Sequence, residues 1–231
     1  MEEKQFPEFE TKINVIFTDK SLLERAFVHR SYVNENRGTH NEHNERLEFL
    51  GDAVLELVVT DYLYQEFPDK PEGELTAYRA ALVNTNTLST QASVLNMNEY
   101  LLLSKGEAKD TGRARQYILA NTFEAVIGAI YLDQGYDKAK EFIAAQIFPL
   151  TEEIVKKRLW QDSKSRFQEA AQEHESITPS YQLVSEVGPD HDKVFTVGVY
   201  LEDELIAKGT GKSKQEAEQE AAQKAVEEKG W

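Results

Sequence analysis

Cysteine is absent from the 231 residues of this chain. Disulfide bonds and thiolate metal sites are therefore excluded, and a reducing compartment suits the protein. The first residues, MEEKQFPEFETK, lack both a basic start and an apolar segment, so they do not resemble a secretion signal. The apolar runs are much shorter than a membrane-spanning helix requires. We therefore expect a cytoplasmic protein.

Positive charge is also scarce. Acidic residues number 41 against 26 lysines and arginines, which leaves a formal net charge of −15 at pH 7. Nucleic-acid binding requires a positive surface that neutralises phosphates, so this balance weighs against such a partner. Net charge is a sum over the whole chain, however, and a local basic patch can still bind phosphate.

The hydrophobic pattern divides the chain into two parts, of which the first is helical. From Phe6 to about Lys157, apolar residues recur at three- and four-residue steps, which is typical of amphipathic helices. Helices are predicted at 21–32, 75–95 and 117–135, with breaks at 34–43, 67–74 and 105–113 and after Gly135. This part is predicted to form one all-α domain over residues 1–158.

The second part has a different pattern. A helix is predicted at 165–174, strands at 181–187, 193–201 and 204–209, and a last helix after Gly211. In the middle strand, four apolar residues alternate with polar or small ones, a period of two that indicates a half-buried strand: Phe195, Val197, Val199 and Leu201. Residues 159–231 are therefore predicted to form a small α+β domain of the order αβββα.

Three acids share one side of the predicted helix NERLEFLGDAVLEL (44–57). At the angular step of a helix, Glu45, Glu48 and Asp52 fall within an arc of about 60°. Like charges at this spacing repel by a few tenths of a kcal/mol per pair, whereas a bound cation would reverse the sign. Hard oxygen ligands favour Mg²⁺ or Mn²⁺. The acids form either a solvated surface or part of a metal site, and this helix alone does not decide between the two.

The apolar residues of the same helix indicate how it packs. Four are predicted to face the core: Leu47, Leu50, Val54 and Leu57. Phe49 and Leu55 flank the acidic arc on either side. This placement fits burial against a second copy of the chain, or simply a wide core stripe.

Further acids occur in two other segments. In ILANTFEAVIGAIYLDQG (118–135), Asn121 and Glu124 lie three residues apart on one face of an otherwise apolar run. Glu124 could supply a carboxylate that completes a metal site with the first helix, although a lone glutamate is usually a surface or capping residue. Glu72, in the turn PEGE, is either a further member of the site or a solvated turn residue.

In combination, these segments resemble ribonuclease III. HNERLEFLGDAVLEL (43–57) is similar to the signature helix of that family, and HRSY (29–32), FPDKPEGELTAYRAALVNTNTL (67–88) and ILANTFEAVIGAIYLDQG match further family segments in order. The second domain resembles a double-stranded-RNA-binding domain, so the resemblance covers nearly the whole chain. It implies a homodimeric endoribonuclease that uses Mg²⁺, or Mn²⁺ in its place, to hydrolyse double-stranded RNA to 5′-phosphate and 3′-hydroxyl ends. Its expected role is the processing of ribosomal and messenger RNA precursors.

The resemblance also implies roles for individual residues. The metal ligands would be Glu48, Asp52, Asn121 and Glu124. Glu45 and Glu72 match two further acids at the family's cleavage centre, and Phe49 matches an aromatic residue of the dimer interface. Each subunit would then carry one catalytic centre that cuts one strand.

Asn121 departs from the family, which usually has aspartate at this position. An amide oxygen can ligate Mg²⁺ but adds no negative charge. We therefore expect weaker metal binding, a higher Mg²⁺ requirement or slower cleavage. The alternative hypothesis is a protein that binds double-stranded RNA without cutting it. A third hypothesis is an acidic helical scaffold with a protein-binding αβββα module, which the overall charge would suit.

Recognition of A-form RNA relies mostly on shape, and calls for a helix face, a reaching loop and a basic helix start. The candidate residues are Ser165, Gln168 and Glu169 on the first helix of the second domain, His191 in the turn 188–192, and Lys212 and Lys214 at the last helix. The positive end of that helix adds attraction for phosphate. Each residue taken alone could be ordinary surface. Because Glu216, Glu218 and Glu220 follow closely, we expect modest and strongly salt-sensitive affinity.

Overall fold

The fold is taken from a computed structural model that describes residues 6–36, 42–189 and 193–231. His191, assigned above to an RNA-binding turn, lies outside these ranges. The chain divides into two compact units, Met1–Trp160 and Gln161–Trp231. The division falls beside the predicted domain boundary at residue 158.

The described residues of the first unit form a helical domain, which confirms the predicted all-α fold. Its α-helices are α1 (Phe6–Ile13), α2 (Lys20–Ala26), α3 (Arg30–Glu35), α4 (Glu45–Glu66), α5 (Glu72–Leu82), α6 (Thr85–Val94), α7 (Arg113–Ile147) and α8 (Thr151–Lys156). Short 3₁₀ turns lie at Met97–Glu99, Glu107–Lys109 and Phe148–Leu150. Gly135 breaks the regular geometry of α7 with φ 82° and ψ −174°, at the predicted helix end. Within the described ranges, no helix combines the length and the apolar character needed to cross a bilayer.

Three details of this helical prediction were wrong. The single helix predicted at 21–32 is two helices, α2 and α3, and Val28 between them forms a β-bridge with Leu102. The single helix predicted at 75–95 is two helices, because the Asn84 side chain accepts a hydrogen bond from Thr87 N at 2.9 Å and so caps a new helix. Glu72 was placed in a turn, but it is the first residue of α5. Pro71 precedes it, and proline is well suited to the start of a helix.

The buried face of α4 also differs from the predicted one. Leu47 and Val54 are in the core as expected, but Leu57 is 58% exposed and Leu55 is fully buried. The buried positions recur at the steps of a helix: Leu47, Gly51, Val54, Leu55, Val58 and Val59. Leu57 lies outside this stripe, whereas Leu55 widens it. Only Phe49 of the predicted flanking pair is exposed, at 81%.

Two glycines allow α4 and α7 to cross in close contact. A Cβ atom on Gly51 would overlap the carbonyl oxygen of Glu124, and one on Gly128 would overlap the carbonyl oxygen of Leu47. Backbone therefore packs directly against backbone at this point. On α4, Glu48 precedes the crossing by one turn and Asp52 follows it directly, so the crossing sets their distance from α7.

The second unit contains the predicted order of elements. These are α9 (Ser163–Glu175), β1 (Ser180–Val187), β2 (Val194–Leu201), β3 (Glu204–Gly211) and α10 (Lys214–Lys229). The described strands form one antiparallel sheet in the order β1-β2-β3, with Leu183 opposite Val197 and Val199 opposite Ala207. Val197, Val199 and Leu201 are buried, as the alternation in β2 predicts, whereas Phe195 is only half-buried and Gly198 is buried as well. The Trp231 ring stacks on Phe167 with centroids 5.6 Å apart, and so closes this small core.

Substituting Gly51 with alanine is expected to push α4 and α7 apart. We expect Gly51→Ala to lower the free energy of unfolding by about 1–3 kcal/mol, the usual cost of overpacking. Gly73 on α5 is the matched control, because a Cβ atom there meets nothing within 4 Å. Gly73→Ala should leave stability unchanged or raise it by up to about 1 kcal/mol, since alanine is the better helix former. Denaturant unfolding of both variants measures the difference, and equal stabilities would contradict the close crossing.

Candidate active site

The crossing of α4 and α7 brings acids from both helices together. Glu48 and Asp52 lie on α4, and Asn121 and Glu124 on α7. Glu124 is close enough to Asp52 and Glu48 for their charges to raise its pKa, and the side chain of Asn121 is hydrogen bonded to Glu48. The structure therefore clusters four of the residues predicted from the sequence.

Glu124 is the most strongly perturbed member of the cluster. Burial is the main cause that raises the pKa of its carboxyl group to about 8, and repulsion from Asp52, Glu48 and Glu56 adds to the shift. Without a cation, this carboxyl group is therefore mostly protonated at neutral pH.

Glu48 is perturbed in the same direction. Its pKa is raised by burial and by the charges of Glu45 and Asp52, while the hydrogen bond from the Asn121 amide lowers it. An aspartate at position 121 would repel the Glu48 carboxylate instead. Asn121 thus stabilises the ionised form of Glu48 in the absence of metal.

The donor set of this cluster fits a hard divalent cation. Glu48, Asp52 and Glu124 offer carboxylate oxygens, and Asn121 offers one amide oxygen. Burial raises the pKa values of Glu48 and Glu124, and neighbouring carboxylates add a repulsion that a divalent cation would relieve. Among the described residues, no three His, Asp or Glu side chains already converge as they would around a bound ion. Small movements of these side chains would therefore have to accompany metal binding.

A cavity of about 460 Å³ opens beside Glu48 and Asn121. Its lining combines acids, amides, one arginine and apolar groups: His29, Arg30, Asn44, Glu45, Glu48, Tyr117, Ile118 and Asn121. The Glu45 Oε1 atom lies 3.6 Å from Arg30 Nη1, and Glu45 N donates a hydrogen bond to His43 Nδ1 at 3.4 Å. Buried Asn44 donates a side-chain hydrogen bond to the Ala26 carbonyl at 3.1 Å and thereby fixes the start of α4.

Glu72 does not join this cluster within one chain. It lines a separate cavity of about 430 Å³, together with Tyr64, Lys70 and Arg79, and accepts a hydrogen bond from Thr76 Oγ1 at 2.9 Å. The structure therefore does not place Glu72 in the cavity that Glu45, Glu48 and Asn121 line.

Glu56, which was not among the site residues predicted from the sequence, lies one turn beyond Asp52 on α4. Its charge contributes to the raised pKa of Glu124, while its Oε2 atom lies 2.9 Å from Arg79 Nε. The sequence shows that Glu56 follows Asp52 by one helical turn, but it does not show that Glu56 pairs with Arg79 on α5. Arg79 also donates to Thr60 Oγ1 at 2.9 Å, so it links α5 to the acidic side of α4.

The predicted RNA-binding residues of the second unit lie on its surface where they are described. Ser165, Gln168 and Glu169 are exposed on α9, and Glu169 accepts a hydrogen bond from Gln161 at 3.3 Å. Lys212 and Lys214 are exposed at the start of α10. The Lys214 side chain has no hydrogen bond or ion pair to another described residue.

The acids that follow these lysines are engaged within the unit. Glu216 accepts a hydrogen bond from Lys212 N at 2.9 Å, and Glu220 accepts two from Thr210. Glu218 is paired with Lys164 at 2.7 Å. The hydrogen bonds fix these carboxylates in the fold but leave their negative charge in place, so the acids still oppose phosphate binding.

The raised pKa of Glu124 predicts a pH-dependent stability in the absence of divalent cations. The pKa of Glu124 is higher in the folded than in the unfolded protein. The contribution of this group to the free energy of unfolding should therefore be largest below about pH 4.5, and should be lost as the pH rises through about 8. Glu124→Gln removes the titration. We therefore expect its melting temperature in EDTA to gain on the wild type between pH 6 and pH 9.

Melting curves at several pH values provide the measurement. Glu153→Gln, an exposed glutamate on α8 that pairs with Lys157, serves as the control and should show no such gain. Parallel pH profiles for the wild type and Glu124→Gln would contradict the raised pKa.

Comparison with known proteins is consistent with both units. The Ribonuclease-III-like family model matches residues 19–151, and the double-stranded RNA binding motif matches residues 163–229. The chain is 45% identical to Ribonuclease 3 of Enterococcus faecalis over 98% of both chains. It is 47% identical to Ribonuclease 3 of Geobacillus thermodenitrificans, over 96% of this chain and 90% of that relative.

A solved structure is similar to the first unit. The nuclease domain of ribonuclease III from Campylobacter jejuni superposes with a TM-score of 0.56 at 39% identity, and covers 63% of this chain and 99% of that one. That structure is described as flexible in a region involved in dimer formation.

Proposed function

Because the chain belongs to the ribonuclease III family of endoribonucleases that act on double-stranded RNA, we propose that it cleaves such RNA by Mg²⁺-dependent hydrolysis. The products would carry 5′-phosphate and 3′-hydroxyl ends, and the natural substrates would be structured precursors of ribosomal and messenger RNA. The observation that carries this proposal is the cluster of Glu48, Asp52, Asn121 and Glu124 at the crossing of α4 and α7.

The proposed chemistry assigns distinct tasks to the side chains. Glu48, Asp52, Asn121 and Glu124 would hold Mg²⁺, with Mn²⁺ as a substitute. The bound metal would lower the pKa of a water molecule and stabilise charge on the phosphate oxygens during hydrolysis. Glu45, at the rim of the same cavity, would help to position the groups around the scissile phosphate.

Asn121 would limit how strongly the site holds its metal. Its amide oxygen can act as a ligand, but its NH₂ group donates to Glu48 in the metal-free protein. Metal binding would therefore compete with this hydrogen bond. The site would also hold the cation with one negative charge fewer than a site with aspartate at this position. The expected result is an enzyme that works at raised Mg²⁺ concentration.

A homodimer through α4 is part of the proposal. Phe49, Leu57 and Tyr64 are 81%, 58% and 73% exposed, and they recur at helical steps along α4 beside its acidic side. Large apolar residues exposed along one helix are typical of a surface that another protein covers. A second copy would bury them and could bring its own Glu72 near the acids.

The second unit would supply most of the affinity for duplex RNA. Ser165, Gln168 and Glu169 would face one minor groove, and Lys212 and Lys214 would contact phosphates. His191, outside the described residues, remains a proposed contact on sequence grounds alone.

Incubation of labelled duplex RNA with the protein and a titration of Mg²⁺ or Mn²⁺ tests the proposed function. Cleavage that depends on the metal and leaves 5′-phosphate ends supports it. RNA binding without cleavage at any metal concentration would favour the alternative of a binding protein. If the protein neither bound nor cleaved the RNA, this result would contradict the proposal altogether.

Asn121→Asp is expected to strengthen metal binding. A carboxylate adds the missing negative charge, so we expect half-maximal cleavage at roughly tenfold lower Mg²⁺ concentration. Asn86→Asp on α6, an exposed position, adds the same charge away from the cluster and should leave the Mg²⁺ dependence unchanged. An unchanged Mg²⁺ requirement in Asn121→Asp would show that this residue does not limit the metal site.

Phe49→Ala tests the proposed dimer. Truncation of a large anchor residue at the centre of an interface costs about 2 kcal/mol, so we expect the dimer dissociation constant to rise by roughly thirtyfold. Val94→Ala, at another exposed apolar residue on α6, is the control. Sedimentation at micromolar concentration measures both, and a wild type that sediments as a monomer would refute the interface.

A further inference from the structure

Arg30 lies at the edge of the candidate active site and has no part in the roles assigned so far. It is the first residue of α3 and lines the same cavity as Glu45, Glu48 and Asn121. It is also the only lysine or arginine among the residues that line this cavity. A permanently charged cation beside acidic residues invites a structural explanation, in which Arg30 simply pairs with Glu45.

That structural explanation accounts for little. Arg30 Nη1 lies 3.6 Å from Glu45 Oε1, which is longer than a hydrogen bond. The two side chains are 67% and 47% exposed, and exposed ion pairs of this kind contribute little to stability. Among the described residues, Glu45 is the only polar partner of the Arg30 side chain. Its guanidinium group is therefore weakly held.

The backbone that carries Arg30 is, by contrast, firmly anchored. His29 N donates to the Leu102 carbonyl at 3.1 Å, and Ser104 N donates to Ser31 Oγ at 3.1 Å. Asn44 N donates to the Val28 carbonyl at 2.9 Å, which ties the same segment to the start of α4. The Cα atom of Arg30 is thus fixed at the rim of the cavity, while its side chain remains free to reorient.

We infer that Arg30 binds a backbone phosphate of the RNA strand that enters this cavity, and that it leaves Glu45 to do so. The inference rests on the proposed function, since it places RNA next to the acidic cluster. A guanidinium group presents two parallel N–H donors that match two phosphate oxygens. The Glu45 carboxylate, at 3.6 Å, is too far away to accept hydrogen bonds from these donors. The exchange also frees Glu45 when RNA is bound.

The charges of the cavity support a phosphate as the partner. Glu45 and Glu48 repel an RNA strand, and metal bound at the cluster would act only on the phosphate it contacts. A strand that crosses this acidic rim needs a cation beside the cluster, and Arg30 is the residue that the lining provides. Because the contact is to the sugar-phosphate backbone, it should be independent of RNA sequence.

The salt dependence of RNA binding tests the inference. Dissociation constants of a duplex RNA are measured between about 50 and 300 mM salt with Ca²⁺ in place of Mg²⁺, and gels confirm that the RNA stays intact. Loss of one phosphate contact should reduce the slope of log K against log salt by about 1. We expect this reduction, and roughly tenfold weaker binding at low salt, for Arg30→Met. Arg30→Lys keeps the charge and should retain the slope.

Arg46→Met is the matched control. Arg46 is an exposed arginine on the first turn of α4, one residue after Glu45, but it does not line the cavity. The Arg46→Met variant should keep the wild-type salt dependence of RNA binding and the wild-type affinity for RNA. A wild-type slope in Arg30→Met, or an equal loss in Arg46→Met, would overturn the inference. A wild type that fails to bind duplex RNA would instead overturn the proposed function.

Discussion

The close crossing of α4 and α7 is the constraint on which the candidate site depends. Gly51 and Gly128 let the two helix backbones touch, and any side chain at either position would hold them apart. Glu48 and Asp52 on one helix face Asn121 and Glu124 on the other only because of this contact. The same packing buries the core of the first unit, so the geometry of the site and the stability of the domain have one origin.

Carboxyl groups are concentrated at this crossing, where their charges would repel one another. Burial and neighbouring carboxylates raise the pKa of Glu124 to about 8, and the amide of Asn121 partly offsets the repulsion at Glu48. Helix packing supplies the free energy that keeps these groups together, and a divalent cation would recover part of it. This is the usual arrangement of a functional site, in which the surrounding fold stabilises a locally unfavourable cluster.

Much of the fold and of the candidate site could be predicted from the sequence, because helix and strand periods indicate which residues share a face. The acids of α4, the pair Asn121 and Glu124, and the αβββα order all follow from such periods. The periods do not show how far a buried stripe extends. Leu57 was therefore predicted to face the core although it is exposed, and the choice for Leu55 between a wide core stripe and a contact with a second copy stayed open. Nor do the periods show pairing between helices: Glu56 with Arg79, and Arg30 with Glu45, are known only once the chain is folded.

The acids at the start of α10 bear on how such a domain could be altered. Glu216 and Glu220 accept hydrogen bonds from the backbone N–H groups of Lys212 and Thr210, and so join the helix to the end of the sheet. An engineer who exchanged them for lysines to make the surface more basic would gain charge but lose this joint. Tighter RNA binding is better sought at positions such as Gln215, whose side chain is exposed and has no partner among the described residues.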